Sequence, residues 1–195
     1  MLSRRSGAAA KLPAVFAFAL ALSFAAAASA SEWAVDYADS RLGFSGTQLG
    51  ETFEGAFETF EAEIVFDPEA LDAASVTAVI DMASAKTGDR QIDSALPDPD
   101  WFHVREFPTA RFEATQFNRV GENQYEAIGT LTIRDHTNDV VLPFSLEIDG
   151  DGARMQGALE IDRRNYGVGQ GEWESDRFVG ATVQISVTLS ATRVN

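Results

Sequence analysis

The chain contains no cysteine and only two histidines, His103 and His136. The absence of cysteine excludes a disulfide framework, a thiolate metal centre and a lipid-modified amino-terminal cysteine. The histidines lie far apart, outside HxH or HExxH spacing, and no serine occupies a nucleophile-elbow motif. We therefore predict no catalytic residue, no metal site and no cofactor from these residue types.

Basic residues are also scarce, with 15 Lys and Arg against 30 Asp and Glu and a formal net charge of −15. Without residues 1–30, twelve basic and thirty acidic side chains remain, a formal charge of −18. Such a charge repels nucleic acid phosphates and anionic bilayer surfaces. It excludes a basic-patch nucleic-acid-binding protein and fits a highly soluble one.

Long apolar runs are confined to one place, Leu12 to Ala28, which follows Arg4, Arg5 and Lys11 and ends near Ala28-Ser29-Ala30. Basic residues, an apolar run and small residues in this order predict a cleavable signal peptide. The run is short and lacks the basic flank of a stop-transfer segment, so no stable membrane anchor is expected. We predict cleavage near Ala30, a periplasmic location, and one domain over residues 31–195.

The mature chain lacks any long helical pattern and instead alternates apolar and polar residues between Gly, Asp and Asn turns. The clearest runs are Val140–Ile148 and Val183–Leu189. Asp135–Asp139 is predicted as the turn before the first run, and Asp149–Gly152 joins that run to the next strand as a hairpin. Phe53–Phe66 changes parity, which predicts a bend near Glu58. About eight strands of this spacing indicate an all-β fold. A sandwich and a barrel both fit, and the bent strands favour the barrel.

One stretch, Lys86–Phe112, interrupts the alternation. Thr87 is predicted to cap a short helix that Pro97 ends, and Asp98 to cap a second turn carrying Trp101 and Phe102. Two helical turns with aromatic side chains between strands predict a plug or lid over a hollow structure.

Several segments together resemble the YceI family of exported, lipocalin-like, polyisoprenoid-binding proteins. They are Trp33-Ala34-Val35-Asp36, Gly55-Ala56-Phe57, Thr87-Gly88-Asp89-Arg90, Trp101-Phe102, Phe107–Phe112, Leu131–Arg134, Val141–Phe144, and Arg163 with Tyr166–Gly169. Their order covers the mature chain. Asp39 and Asp135 depart from the His and Gly often found there. The resemblance implies an eight-stranded antiparallel lipocalin-like β-barrel with a short helical insertion and an isoprenoid in its interior.

Twelve side chains are the candidate ligand-binding residues: Phe44, Phe57, Ile80, Arg90, Trp101, Phe102, Phe112, Leu131, Phe144, Leu146, Arg163 and Trp173. Most are inward-facing apolar candidates, and Trp101, Phe102 and Trp173 are placed at the entrance. Arg90 and Arg163, together with Arg134, are candidate head-group donors because a guanidinium offers paired N–H groups. The residues alone leave open a solid core and ordinary surface ion pairs.

The predicted function is a non-enzymatic exported carrier that sequesters an isoprenoid of the quinone or polyprenyl phosphate type, or another long-chain lipid. Two alternatives remain open. One is an enzyme acting on a lipid amide or ester with His103 beside the lid. The other is a solid-core interaction or stress-response module. The predicted partner is the lipid, without nucleic acid, and a homodimer is left open.

Overall fold

The computed structural model describes residues 30–194. The predicted signal peptide, apart from Ala30, lies outside these residues. Within them, no helix is long and apolar enough to cross a membrane.

Eleven β-strands form one antiparallel sheet in the described part of the chain. They are β1 Ser31–Val35, β2 Arg41–Gln48, β3 Glu51–Phe57, β4 Phe60–Phe66, β5 Ser75–Asp81, β6 Ala85–Lys86, β7 Thr109–Gly121, β8 Gln124–Ile133, β9 His136–Asp149, β10 Gly152–Asp162 and β11 Thr182–Arg193. One α-helix, α1, covers Arg90–Ala95, and 3₁₀ turns occur at Leu71–Ala73, Met82–Ser84, Arg163–Tyr166 and Gly171–Trp173.

Eight strands close into a barrel in the order β1-β4-β5-β7-β8-β9-β10-β11. The ring closes because β1 pairs with β4 on one edge and with β11 on the other. Strands β2, β3 and β6 continue the sheet from β11. The predicted eight-stranded antiparallel lipocalin-like barrel with a short helical insertion is confirmed.

Two wall strands are broken. The chain leaves the sheet between β1 and β2 and again between β3 and β4, where Glu58 and Thr59 lie. The bend predicted near Glu58 is therefore confirmed. In β8, Gly129 lies opposite Ala114 beside a bulge, where a Cβ would overlap the Glu113 carbonyl oxygen. Gly129 lets the two strands approach closely at this point.

The hairpin turns agree with the sequence pattern in one case and differ in another. Asp149 pairs with Gly152 across the predicted tight turn. The turn predicted over Asp135–Asp139 is wrong, because Ile133 pairs with His136 and the chain reverses at Arg134-Asp135. Arg134 has a φ of +57° there.

The two ends of the barrel are closed differently. At one end, the aromatic end, Phe66 packs against Phe117 and Tyr125 at ring-centre distances of 5.5 Å, and Tyr125 stacks on Phe144 at 5.5 Å. At the other, the lid end, two connections cross the opening. We name residues 87–108 the first lid and residues 163–181 the second lid.

The first lid begins differently from the prediction. Asp89, not Thr87, caps α1, and its carboxylate accepts the N–H groups of Gln91 at 2.7 Å and Ile92 at 3.1 Å. The Thr87 hydroxyl instead accepts from the Asp89 N–H and donates to Asp93. The second turn is not a helix. Its Asp98 carbonyl accepts from the backbone N–H groups of Trp101 and His103.

Candidate functional site

The barrel encloses a cavity of about 250 Å³ between the two lids and the aromatic end. Its lining extends from Met155 and Leu189 near the aromatic end to Phe102 and Val168 beneath the lids. Among the described residues, Arg163 is the one charged residue that lines it. The site is therefore an elongated apolar chamber.

Inward-facing side chains on β10 and β11 show that this chamber is hollow. Met155, Leu159, Val183 and Val187 all line it, yet each remains only partly buried, although the barrel wall surrounds them. In a filled core such residues would be fully buried. From Val183 to Ala191 the lining strand spans about 26 Å at roughly 3.3 Å per residue, which a tilted strand converts to on the order of 20 Å of depth.

Ten of the twelve sequence-predicted ligand residues line the cavity. These are Phe44, Phe57, Ile80, Trp101, Phe102, Phe112, Leu131, Phe144, Leu146 and Arg163. Arg90 does not line it, because it lies exposed on α1. Trp173 does not line it either, and its ring packs on Trp101 at 5.8 Å. That any of these residues binds a ligand stays a prediction.

Arg163 is buried, with 3% of its surface exposed. Its guanidinium donates to the carbonyl oxygens of Val168 at 2.8 Å, Gly169 at 3.1 Å, Gly180 at 3.0 Å and Val179 at 2.9 Å. It also donates to the Trp173 carbonyl at 2.6 Å. All five N–H groups are thus used by the main chain of the second lid, and none is left for a ligand head group.

Burial lowers the pKa of the Arg163 guanidinium, and the neighbouring positive charge of Arg164 lowers it further. Arginine nevertheless stays charged in proteins. Among the described residues no carboxylate lies within ion-pair distance of Arg163, so backbone dipoles solvate the charge. Gly169, with a φ of +77°, lies directly over the guanidinium, where a Cβ would overlap it.

The two lids are joined to each other and to the barrel. The Asp100 carbonyl accepts the N–H groups of Gly169 and Gln170, both at 2.8 Å. Arg134 donates to the carbonyls of Pro99 at 2.9 Å and Trp101 at 2.6 Å. Arg134 therefore holds the first lid on the barrel rim and is not among the residues that line the cavity.

Several lining residues were not among the predicted site residues. Trp33, Phe60, Met155 and Val187 line the chamber, and all lie on strands whose alternation was recognised. The alternation could have identified Met155 and Val187. The inward direction of Trp33 and Phe60 depends on the strand breaks, which the pattern does not resolve.

His103, the residue behind the enzyme alternative, lies on the first lid but does not line the cavity. Its Nδ1 is 3.3 Å from a Glu106 carboxylate oxygen, and its ring contacts Phe107. His136 pairs with the adjacent Asp135 at 2.8 Å on the rim. The cavity wall in the described residues thus holds no histidine.

With this geometry established, the chain can be compared with known proteins. The YceI-like domain family matches residues 33–191, which include every strand from β2 to β10 and most of β1 and β11. The chain belongs to the YceI-like family.

Solved structures and curated sequences agree with this assignment. The YceI-like chain is 33% identical to Burkholderia cenocepacia BcnA, with a TM-score of 0.79 over 82% of this chain and 100% of that one. A Saccharophagus degradans domain described as polyisoprenoid binding shares the fold, with a TM-score of 0.67 and 15% identity over 85% of this chain and 99% of that one. A UPF0312 protein of Vibrio cholerae is 26% identical over 72% of this chain and 79% of its own length.

Proposed function

We propose that this YceI-like protein is an exported carrier that holds the chain of an isoprenoid, or of another long-chain lipid, inside its barrel. The observation that carries the proposal is the hollow chamber, whose inward-facing apolar side chains retain exposed surface. The polyisoprenoid-binding description of the Saccharophagus degradans domain supports the choice of ligand. The signal-peptide pattern of residues 1–30 supports export.

Apolar burial is sufficient for reversible binding in such a chamber. Removing about 300 Å² of lipid surface from water at roughly 25 cal/mol per Å² contributes on the order of 7 kcal/mol before the costs of association and ordering. Because the N–H groups of Arg163 are occupied by carbonyls, the tail and not the head group supplies most of this binding. The polar head is expected to remain outside the chamber.

Native mass spectrometry of protein purified from an exporting host tests both parts of the proposal. A mature chain beginning near Ser31 is expected, together with a co-purified apolar species released by organic solvent. An unprocessed leader would contradict export. A clean apo mass that takes up neither a prenylated quinone nor a polyprenyl lipid would contradict lipid binding.

A pair of neighbouring variants tests where the lipid sits. Val187→Trp places a large side chain in the cavity, whereas Thr188→Trp places the same side chain on the exposed outer face of β11. We expect Val187→Trp to weaken binding of a prenylated quinone at least tenfold while the barrel stays folded, and Thr188→Trp to leave binding within about twofold. Equal affinities for the two variants would place the ligand outside the barrel.

A further inference from the structure

The barrel wall has a gap on one side, between the two broken strands. Pairing of β2 with β3 ends at Leu42 and Phe57, and pairing of β1 with β4 ends at Trp33 and Ile64. Between these points the wall has no backbone ladder across it in the described residues. We name this opening the side gap, formed by residues 36–40 and 58–59.

A surface groove of about 710 Å³ lies over the side gap. Its rim carries polar and charged side chains, among them Asp39, Arg41 and Glu58. Its floor includes Phe57 and Phe60, and these two phenylalanines also line the internal cavity. The same two rings thus separate the groove from the chamber.

Tyr37 bridges the side gap. Its hydroxyl accepts the Ala62 backbone N–H at 3.1 Å, in the place where a neighbouring strand would supply a carbonyl. Its ring packs edge-to-face on Phe60 at 5.4 Å, although 48% of the tyrosine surface is exposed. At the margin of the gap, Arg41 makes a 3.4 Å contact with the Gly55 carbonyl. These contacts are few compared with a strand ladder, which would bind the wall continuously.

The other routes into the chamber are more firmly closed. At the lid end, Arg163 binds the second lid through five carbonyls, and Arg134 and the Asp100 carbonyl bind the first. At the aromatic end, Phe66, Tyr125 and Phe144 fill the interior with mutual ring contacts. Opening either end breaks many buried contacts, whereas opening the side gap displaces the half-exposed Tyr37 and parts the two partly buried rings of Phe57 and Phe60.

We propose that the side gap is a lateral portal through which the lipid tail passes into the chamber. Tyr37 holds the portal closed, and the rings of Phe57 and Phe60 move apart to let the tail pass. The proposal rests on the proposed lipid binding. Asp39 and Glu58 outnumber Arg41 on the rim, so the rim carries a net negative charge that repels an anionic head, and the portal favours amphipathic lipids with an uncharged polar head. The tail passes between the rings while the head stays at the groove.

Stopped-flow fluorescence with a prenyl alcohol brominated near the end of its tail tests the route, because Trp33 and Trp101 line the chamber and bromine quenches tryptophan fluorescence when the tail arrives. Tyr37→Ala is expected to raise both the association and the dissociation rate about tenfold, because it removes the one hydrogen bond and the one ring contact that hold the portal closed. Affinity should change little, since both rates rise together. Tyr37→Phe, which keeps the ring, is expected to give a smaller increase.

Two further variants keep the test decisive. Ala38→Trp adds bulk at the groove and is expected to slow association, the opposite direction to Tyr37→Ala. Phe178→Ala removes an exposed ring at the lid end and is expected to leave the rates within about twofold. Saturable quenching with rates unchanged in the Tyr37 and Ala38 variants, or accelerated by Phe178→Ala, would overturn the portal alone. Absence of saturable quenching in the unaltered protein would overturn lipid binding and the portal with it.

Discussion

Arg163 shows how one residue organises the lid end. A buried cation without a carboxylate partner is costly unless hydrogen bonds replace water, and here the main chain of the second lid provides them. The planar fork of the guanidinium reaches carbonyls on both sides of the loop, which a lysine ammonium with three donors cannot do. Arg163 is therefore a structural centre of the second lid.

We predict that Arg163→Lys lowers the free energy of unfolding by about 3 kcal/mol, because it leaves buried carbonyls without donors. The matched control is Arg164→Lys. Arg164 is exposed and pairs with Asp162 at 2.6 Å, so its replacement should cost less than about 1 kcal/mol. Urea denaturation followed by tryptophan fluorescence measures both. Equal losses for the two variants would show that the carbonyl cluster contributes nothing to stability.

The sequence identified Arg163 as a candidate but not its role, for a physical reason. Its partners are backbone carbonyls, which every residue carries, so no side-chain pattern marks them. Phe144 and Leu146, by contrast, were predicted to face the barrel interior by alternation, because side-chain direction in a strand follows from parity, and both line the cavity.

At the scale of elements, regular strands were predictable and irregular connections were not. The run from Val140 to Ile148 carries a period-two pattern that only a half-buried strand satisfies, and it lies within β9. The first lid depends on competing local hydrogen bonds. Asp89 and Thr87 are both good caps, and the choice between them is made by Asp93, whose carboxylate engages Thr87.

This local network predicts a pH dependence of the first lid. The Thr87 backbone N–H and, to a smaller extent, the Thr87 hydroxyl donate hydrogen bonds to the Asp93 carboxylate, and these bonds hold its pKa below the ordinary value of 3.8. A carboxylate with a lowered folded-state pKa stabilises the fold above its unfolded-state pKa, and the contribution is lost as pH falls through the folded-state value. We expect the lid amides near Thr87 to lose hydrogen-exchange protection only below about pH 4.

Thr87→Val keeps the side-chain shape and removes the hydroxyl donor. It should raise the Asp93 pKa and move the loss of protection to higher pH. Ser94→Ala, which removes a local bond from Ser94 to the Arg90 carbonyl on the same helix, is the control and should not move it. NMR-detected exchange between pH 2.5 and 6 measures all three proteins. Identical profiles for the Val variant and the unaltered protein would contradict the assigned role of Thr87.

At the scale of the whole molecule, strand number and spacing predicted the all-β class and the bent strands favoured a barrel, but neither predicted that the barrel is hollow. Alternation predicts the same inward-facing side chains whether the interior is filled or empty. Whether a barrel is hollow depends on the volume of those side chains compared with the space that the barrel diameter encloses. The partly buried positions on β10 and β11 are a property of the closed barrel and cannot be read from either strand separately.

The charge of the whole molecule gives the last prediction. Thirty carboxylates lie on a protein with fifteen basic residues, and the ion pairs that do form, such as Arg111–Glu113 and Arg119–Glu69, are largely exposed. Repulsion among the unpaired carboxylates therefore outweighs the surface pairs. Since the screening length falls from about 30 Å at 0.01 M salt to about 10 Å at 0.1 M, added NaCl should raise the urea midpoint.

A charge variant separates screening from general salt effects. Glu61 and Glu160 are exposed on outer strand faces, and replacing both by Gln should raise the midpoint at 10 mM NaCl and reduce the rise between 10 and about 300 mM. Arg154→Gln, which removes a positive charge from an outer face, should do the opposite. A midpoint that falls with added NaCl would show instead that the few ion pairs dominate. The acidic surface would then stabilise the barrel through local pairing, and the repulsion argument would be wrong.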